Sequence, residues 1–218
     1  LNGKTNQVIT MTAVTSVSGS YADLLNVYVT NAGQYNGEGD EAVTITGTVS
    51  ATEADAISDV TSGVVTATIN ADTAAALNSA LSDAQVNAYT LTINGSSATA
   101  SEITSLDNKT SGSITLSGTS MTITVASGET LNLSGVTNSL SGTLTINDSI
   151  GDNNIKGTSA NDTLTLLSGN DTINLGVGDD TINVTNMSDL TSADIITDTS
   201  GIDTLNINGS GTIASSNC

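Results

Sequence analysis

With 218 residues the chain can form one elongated domain or two compact ones, and its 22 acidic against 3 basic residues give a formal charge of −19. That balance argues against nucleic acid and anionic membrane surfaces as partners, since both are held by Lys and Arg contacts. The chain has no His, Phe, Trp or Pro. It therefore lacks an imidazole base for a Ser-His-Asp or HExxH site, and it lacks the aromatic mass on which compact cores lean.

The apolar content is Val, Ile, Leu and Ala, spread evenly with Thr, Ser, Asn and Gly between. Alternating segments such as VTITG, VVTATI, YTLTI and TLTIN read as strands rather than disorder. Thin columns of stacked aliphatic residues suit a solenoid. The expected fold is mainly β: a right-handed parallel β-solenoid, with short helices flanking strands in the N-terminal half. No GxSxG elbow, P-loop or dinucleotide fingerprint occurs, so no enzymatic role is expected. No apolar stretch approaches the roughly 20 residues of a membrane helix, so membrane insertion is not expected. The sequence opens on Leu without a signal peptide, and is read as a mature or excised piece of something larger. The single cysteine, Cys218, allows no internal disulfide and leaves a link between two chains as one reading.

Residues 1–40 read as two or three strands, QVITMTAV (7–14) and LLNVYVT (24–30), ending in an acidic loop from Gln34 to Glu41. The loop sets Glu38, Asp40 and Glu41 around two glycines, so it is either a solvated turn or a second, irregular calcium site. Residues 41–118 form a second region. Strands at 42–47, 64–69, 89–94 and 113–118 alternate with helical patterns at 50–60, 72–84 and 98–112. Ser50 or Thr52 is the candidate N-cap of the first helix, and Leu77 and Leu81 form an apolar stripe in the second. Two of the helical segments end in Thr-Ser-Gly. Strands joined by helices are expected to be parallel, with right-handed crossovers. This repeat resembles those of very large secreted surface proteins of marine bacteria.

From 119 to 218 the helices vanish. MTITVASG, TLNLSG and TLTIND lead into residues 148–183, where Asp162, Asp171 and Asp180 recur every nine positions, each followed by Thr and an apolar residue. Asn153 continues the register backwards. Residues 186–196 break the period and read as a looped-out coil. GIDTLNING (201–209) supplies a last copy with Asp203 at the aspartate position.

These copies resemble the RTX nonapeptide G-G-x-G-x-D-x-U-x, a calcium-binding repeat of parallel β-rolls. The opening glycine pairs are mostly replaced, by Gly157-Thr158, Leu166-Leu167 and Leu175-Gly176, and Ala160 stands where Gly151, Gly169 and Gly178 stand in other copies. The resemblance implies Ca2+ between turns two repeats apart on one edge, pairing Asp162 with Asp180 and Asn153 with Asp171. Gly169, Gly178, Asp179 and Asp203 complete the candidate metal set. It also implies secretion to the cell exterior by a type I route, and calcium-linked folding of the C-terminal third.

The functional expectation is an extracellular structural protein that self-assembles into a surface layer, filament or matrix. The stretch 6–14 is expected to add to a neighbour's sheet, giving a head-to-tail homopolymer. The alternative is an adhesive module for a cell-surface glycan, another surface or ice, with Thr163, Thr172 and Thr181 offering hydroxyls at fixed spacing.

Overall fold

The structure is a computed structural model that describes residues 7–82 and 85–209. Asn6, Asp83, Ala84 and Cys218 lie outside the described residues. The chain divides into two compact units. The first comprises residues up to Ala71 with Ala76–Thr92 and Leu106–Ser113; the second comprises Asp72–Ala75, Ile93–Ser105 and the chain from Ile114 on. Every strand pairing given for the described residues is parallel. Among the described residues the chain is mainly β, and the four α-helices all precede Ile114.

In the first unit the elements run β1 (Ile9–Thr10), β2 (Ser16–Gly19), α1 (Tyr21–Leu25), β3 (Tyr35–Asn36), β4 (Ala42–Val49), α2 (Ala51–Ser58), β5 (Val65–Ile69), α3 (Ala74–Ala80) and β6 (Ala88–Ile93). β2, β4, β5 and β6 lie side by side. Along these strands alternate residues turn inward, so that Val43, Val65 and Leu91 are fully buried while threonines such as Thr44 and Thr66 stay outside. Ser50 caps α2: its Oγ accepts the Glu53 N–H at 3.2 Å, and the Glu53 carboxylate accepts the Ser50 N–H at 2.9 Å. This capping box satisfies two otherwise orphaned donors. Ala54 and Ile57 are the residues that α2 buries completely.

The expected strand LLNVYVT is instead helical, α1 continuing into a π-helical turn at Asn26–Thr30. Ser20 Oγ accepts the Asp23 N–H at 3.3 Å to start the helix. Leu24 and Tyr28, four residues apart, then share its buried face. That burial outweighs the strand preference of Val27, Tyr28 and Val29. Of QVITMTAV only Ile9–Thr10 is strand, and it already pairs with Tyr35–Asn36 in the same chain.

The repeated Thr-Ser-Gly is a stacked turn. Thr61 Oγ1 donates to the carbonyl of Glu41 at 2.9 Å, and Thr110 Oγ1 does the same to Tyr89 at 2.7 Å. Each hydroxyl then accepts the N–H of its own glycine, Gly63 or Gly112. The glycines lie flat on the previous coil: a Cβ on Gly63 would sit 2.0 Å from the Glu41 carbonyl oxygen, and one on Gly112 2.1 Å from that of Tyr89. The buried Lys109 ammonium donates to the carbonyls of Asn78 (2.9 Å) and Leu81 (2.6 Å), closing the C-terminal end of α3.

The second unit contains β7 (Ser97–Thr99), α4 (Ala100–Lys109, whose last residues belong to the first unit), β8 (Ile114–Gly118), β9 (Met121–Thr124), β10 (Thr130–Asn132), β11 (Val136–Leu140), β12 (Leu144–Asn147), β13 (Asn154–Lys156), β14 (Asp162–Leu166), β15 (Thr172–Asn174), β16 (Thr181–Val184), β17 (Ile195–Thr197) and β18 (Thr204–Ile207). Successive strands fall alternately into two sheets, ordered β7-β9-β12-β14-β16-β18 and β10-β13-β15-β17, with β8 and β11 also paired. One inward ladder runs Ile123, Ile146, Leu164, Ile182, Leu205, and the other Leu131, Ile155, Ile173, Ile196. On the outer face of the larger sheet Thr122, Thr145, Thr163, Thr181 and Thr204 share one row, and Thr124, Asn147, Thr165, Asn183 and Asn206 the next.

The break at 186–196 is not a looped-out coil. The step from Asn153 to Asp171 is 18 residues and that from Asp171 to Asp194 is 23. The extra residues form a 3-10 turn at Met187–Asp189, after which Ile195–Thr197 rejoins the sheet as β17. Ser168 donates to Asp189 at 2.8 Å and anchors that turn.

The glycine contacts yield a direct test of coil stacking. Gly112→Ala should destabilise the protein by about 1–3 kcal/mol through overpacking against Tyr89. Gly33→Ala, where the added Cβ meets nothing within 4 Å, should be neutral. Urea unfolding of both variants checks this, and an unchanged midpoint for Gly112→Ala would contradict the stacking account.

Candidate metal centre

The nine-residue register places one Asp or Asn at the head of each strand on two turn edges of the second unit. One edge carries Asn153, Asp171 and Asp194; the other carries Asp162, Asp180 and Asp203. Each carboxylate accepts the backbone N–H of its counterpart one coil earlier. Asp171 accepts from Asn153 (2.8 Å), Asp194 from Asp171 (2.8 Å), Asp180 from Asp162 (2.7 Å) and Asp203 from Asp180 (2.9 Å). The two sequence-paired sets, Asp162 with Asp180 and Asn153 with Asp171, are thus brought together as stacked neighbours.

One oxygen of each carboxylate is engaged in this way. The Oδ2 atoms of Asp171 and Asp180 are buried and have no hydrogen-bond partner. Asp162 differs, because its carboxylate turns back to the Thr158 N–H (2.6 Å) and hydroxyl (3.1 Å). Asn153 differs again: its Oδ1 accepts the Glu129 N–H at 3.1 Å and its amide nitrogen donates to the Asp148 carboxylate. Asp179 is exposed and belongs to an outer row, in which Asp179 N–H donates to Asn161 and Asp179 Oδ1 accepts the Ile202 N–H, both at 2.9 Å.

Gly169 and Gly178 make the close stacking of turns sterically allowed. A Cβ on Gly169 would lie 2.4 Å from the Gly151 carbonyl oxygen, and Gly178, with φ +144°, would place one 2.8 Å from the Ala160 carbonyl carbon. Both the short contact and the positive φ favour glycine.

Three carboxylates converge at the last described coil. Among the described residues, Asp180, Asp198 and Asp203 are the group of three acidic side chains whose ligand atoms lie within 4.8 Å of one another. Asp198 was invisible to the nonapeptide pattern, since it falls where that pattern places an opening glycine. Asp194 was legible as Asp-x-Ile but hidden by the longer step before it. Asp148 occupies a buried position directly after β12, where its carboxylate accepts the Leu167 N–H at 3.0 Å. In the acidic loop of the first unit, Glu38, Asp40 and Glu41 do not gather into such a group. There Glu41 is buried, and its Oε2 accepts the Tyr28 hydroxyl (3.2 Å) and the Gly39 N–H (2.7 Å). Glu41 thus ties the loop to α1's extension rather than joining a three-carboxylate site.

Burial dominates the electrostatics. It pushes Asp162 and Asp171 up to about 6, and raises Asp148 and Asp180 as well; at Asp180 the charges of Asp198, Asp203 and Asp179 add to it. Stacked, desolvated carboxylates are costly when ionised, and a cation offsets that cost. The donors at hand are carboxylate, hydroxyl and backbone oxygens, a hard set that suits calcium and not the thiolate or imidazole sites of zinc. The orphaned Oδ2 atoms of Asp171 and Asp180 show that the residues present fit such an ion. Asp180, Asp198 and Asp203 would hold it on one edge, and Asp171 and Asp194 on the other. Its charge would supply the compensation that the protein's own groups leave missing.

Two outcomes are expected. Asp162 and Asp171 titrate higher in the folded chain than the ordinary 3.8, so the folded state binds more protons between about 4 and 6. With chelator, stability should therefore rise as pH falls through that window and be lost as pH rises past 6; with calcium, proton competition should flatten or reverse the trend. Thermal melts at pH 5 and 7.5, with and without calcium, check this, and equal chelated midpoints would refute it. Separately, Asp180→Asn should weaken calcium binding by about tenfold, ~1.4 kcal/mol, in calorimetric titration, whereas the outer-row Asp179→Asn should not.

Residues 148–182 match the family model of the RTX calcium-binding nonapeptide repeat, in four copies. No curated protein and no solved structure matches the chain. The matched segment contains Asn153, Asp162, Asp171 and Asp180, and its repeats imply that this chain binds Ca2+.

Proposed function

We propose that the chain is a right-handed parallel β-solenoid whose second unit is ordered by calcium, and that it serves as an extracellular structural protein assembling into a layer, filament or matrix. The observation that carries this reading is the pair of buried carboxylate edges with unpartnered oxygens at Asp171 and Asp180. Such edges are favourable only where calcium is abundant, as it is outside cells. A calcium held at 100 times its dissociation constant adds about 2.7 kcal/mol per site. RTX repeats are typical of secreted proteins, and no described helix is long and apolar enough to cross a membrane.

Self-association draws on the last described coil. Among the described residues, β17 and β18 are each paired on one side only. Leu205 and Ile196 stand in the inward ladders, yet they are 48% and 37% exposed, and Ile202 beside them is 82% exposed. Open strand edges over unfilled apolar columns are the sites where another strand adds. Nucleic acid is not proposed as a partner for a chain of charge −19, and no catalytic role is proposed for one without histidine.

Negative-stain microscopy of the full chain, first in calcium and then in chelator, tests the proposal. Ordered filaments or sheets that dissolve on chelation are expected. Dispersed monomers in both conditions would remove self-assembly and leave a monomeric adhesive module, for a glycan or another surface, as the better reading.

A further inference from the structure

The smaller sheet of the second unit carries an exposed cation within a strongly acidic chain. Of the three basic residues, Lys4 lies outside the described residues, and Lys109 is buried on the carbonyls that end α3. The third, Lys156, is exposed at the end of β13. It stands in the outward row Asn132, Lys156, Asn174 and Thr197, so both of its in-register neighbours are neutral amides. Among the described residues no carboxylate pairs with its ammonium and no hydrogen bond holds it. With 22 acidic residues in the chain, an internal partner would be the ordinary outcome. Thr172 belongs to the neighbouring row of this sheet, apart from Thr163 and Thr181 on the larger one.

The lysine borders a groove of about 300 Å³, lined also by Ser134, Ser159, Asn174, Val177 and Thr199. Two glycines shape it. A Cβ on Gly157 would sit 2.3 Å from the Leu175 carbonyl oxygen, and one on Gly176 2.3 Å from that of Thr158. Bare backbone therefore forms the floor, and short hydroxyl side chains form the walls. Val177, 48% exposed, adds an apolar edge, and no acidic residue lines the groove. A positive charge among hydroxyl donors suits a single carboxylate on a short side chain.

A polyanion such as nucleic acid needs many cations, and this face offers one. A protein surface carrying separate exposed carboxylates is the better complement, and this chain has them, for example Asp59 and Asp107. Resting on the self-assembly reading above, we propose that the Lys156 groove is a lateral contact that receives an exposed carboxylate of a second copy. An exposed ion pair is weak by itself, so one groove does not hold two monomers together in dilute solution. Between filaments the contact recurs at every copy, and linked weak contacts reinforce one another. End contacts at the last coil alone give separate filaments; the side contact joins them into sheets.

Negative-stain microscopy in calcium tests this on the full chain, with Lys156→Gln and Lys156→Arg beside it. The unmodified and arginine chains should form sheets. Lys156→Gln should give separate filaments, with circular dichroism and calcium titration unchanged. Sodium chloride at about 0.5 M, which screens charges beyond roughly 4 Å, should separate the unmodified sheets in the same way. If Lys156→Gln does not fold, Ser159→Glu, which sets a competing carboxylate in the groove, takes its place with the same expected loss. Sheets that survive these substitutions would overturn the proposal and assign the side contact to calcium bridging carboxylates. Separate filaments from the unmodified chain would overturn it while leaving self-assembly in place; monomers throughout would remove both.

Discussion

A carboxylate that accepts the N–H of its counterpart one coil earlier is the interaction on which the second unit depends. It is repeated on both turn edges, through Asp171 and Asp194 on one and Asp180 and Asp203 on the other. The bond sets the distance between turns at strand spacing, and so fixes the register of both parallel sheets. It also forces negative charge into a desolvated column. Hydrogen bonding to the N–H compensates one oxygen; at Asp171 and Asp180 the second oxygen has no partner in the protein. A cation beside these oxygens would offset that charge, for electrostatic rather than steric reasons.

The first unit solves the same stacking problem with neutral groups. Where its coils turn, Thr61 and Thr110 hydroxyls donate to the carbonyls of the previous coil, and Gly63 and Gly112 allow the backbones to touch. Asn87 links neighbouring coils further, accepting the Val65 N–H and donating to Ser58, both at 2.9 Å. No stack of carboxylates arises there, and Glu41, its most buried acid, is tied to Tyr28.

Charge is also partitioned by surface within that unit. The acidic residues that matter are confined to the turns, where backbone N–H groups and a cation can meet them. The broad outer face of the larger sheet carries Thr and Asn. In-register stacking of parallel strands favours this partition, because every position of a repeat becomes a continuous row, and any substitution recurring at one position defines an entire edge or face.

Sequence alone determined the parallel β character, most strands of the middle region, the helices begun at Ser50 and near Asp72 and Thr99, and the nine-residue aspartate register with its calcium chemistry. Those features rest on local periodicity and capping, which short segments encode by themselves. Only tertiary structure decided the rest. Leu24 and Tyr28 became helical because their shared burial overrode strand preference, and Glu41 was drawn to Tyr28 instead of Glu38 and Asp40. Asp198 joined Asp180 and Asp203 because the longer step before β17 still returns the chain to the same register. In each case the deciding contact spans residues that no local pattern connects, and it exists only once neighbouring coils have stacked.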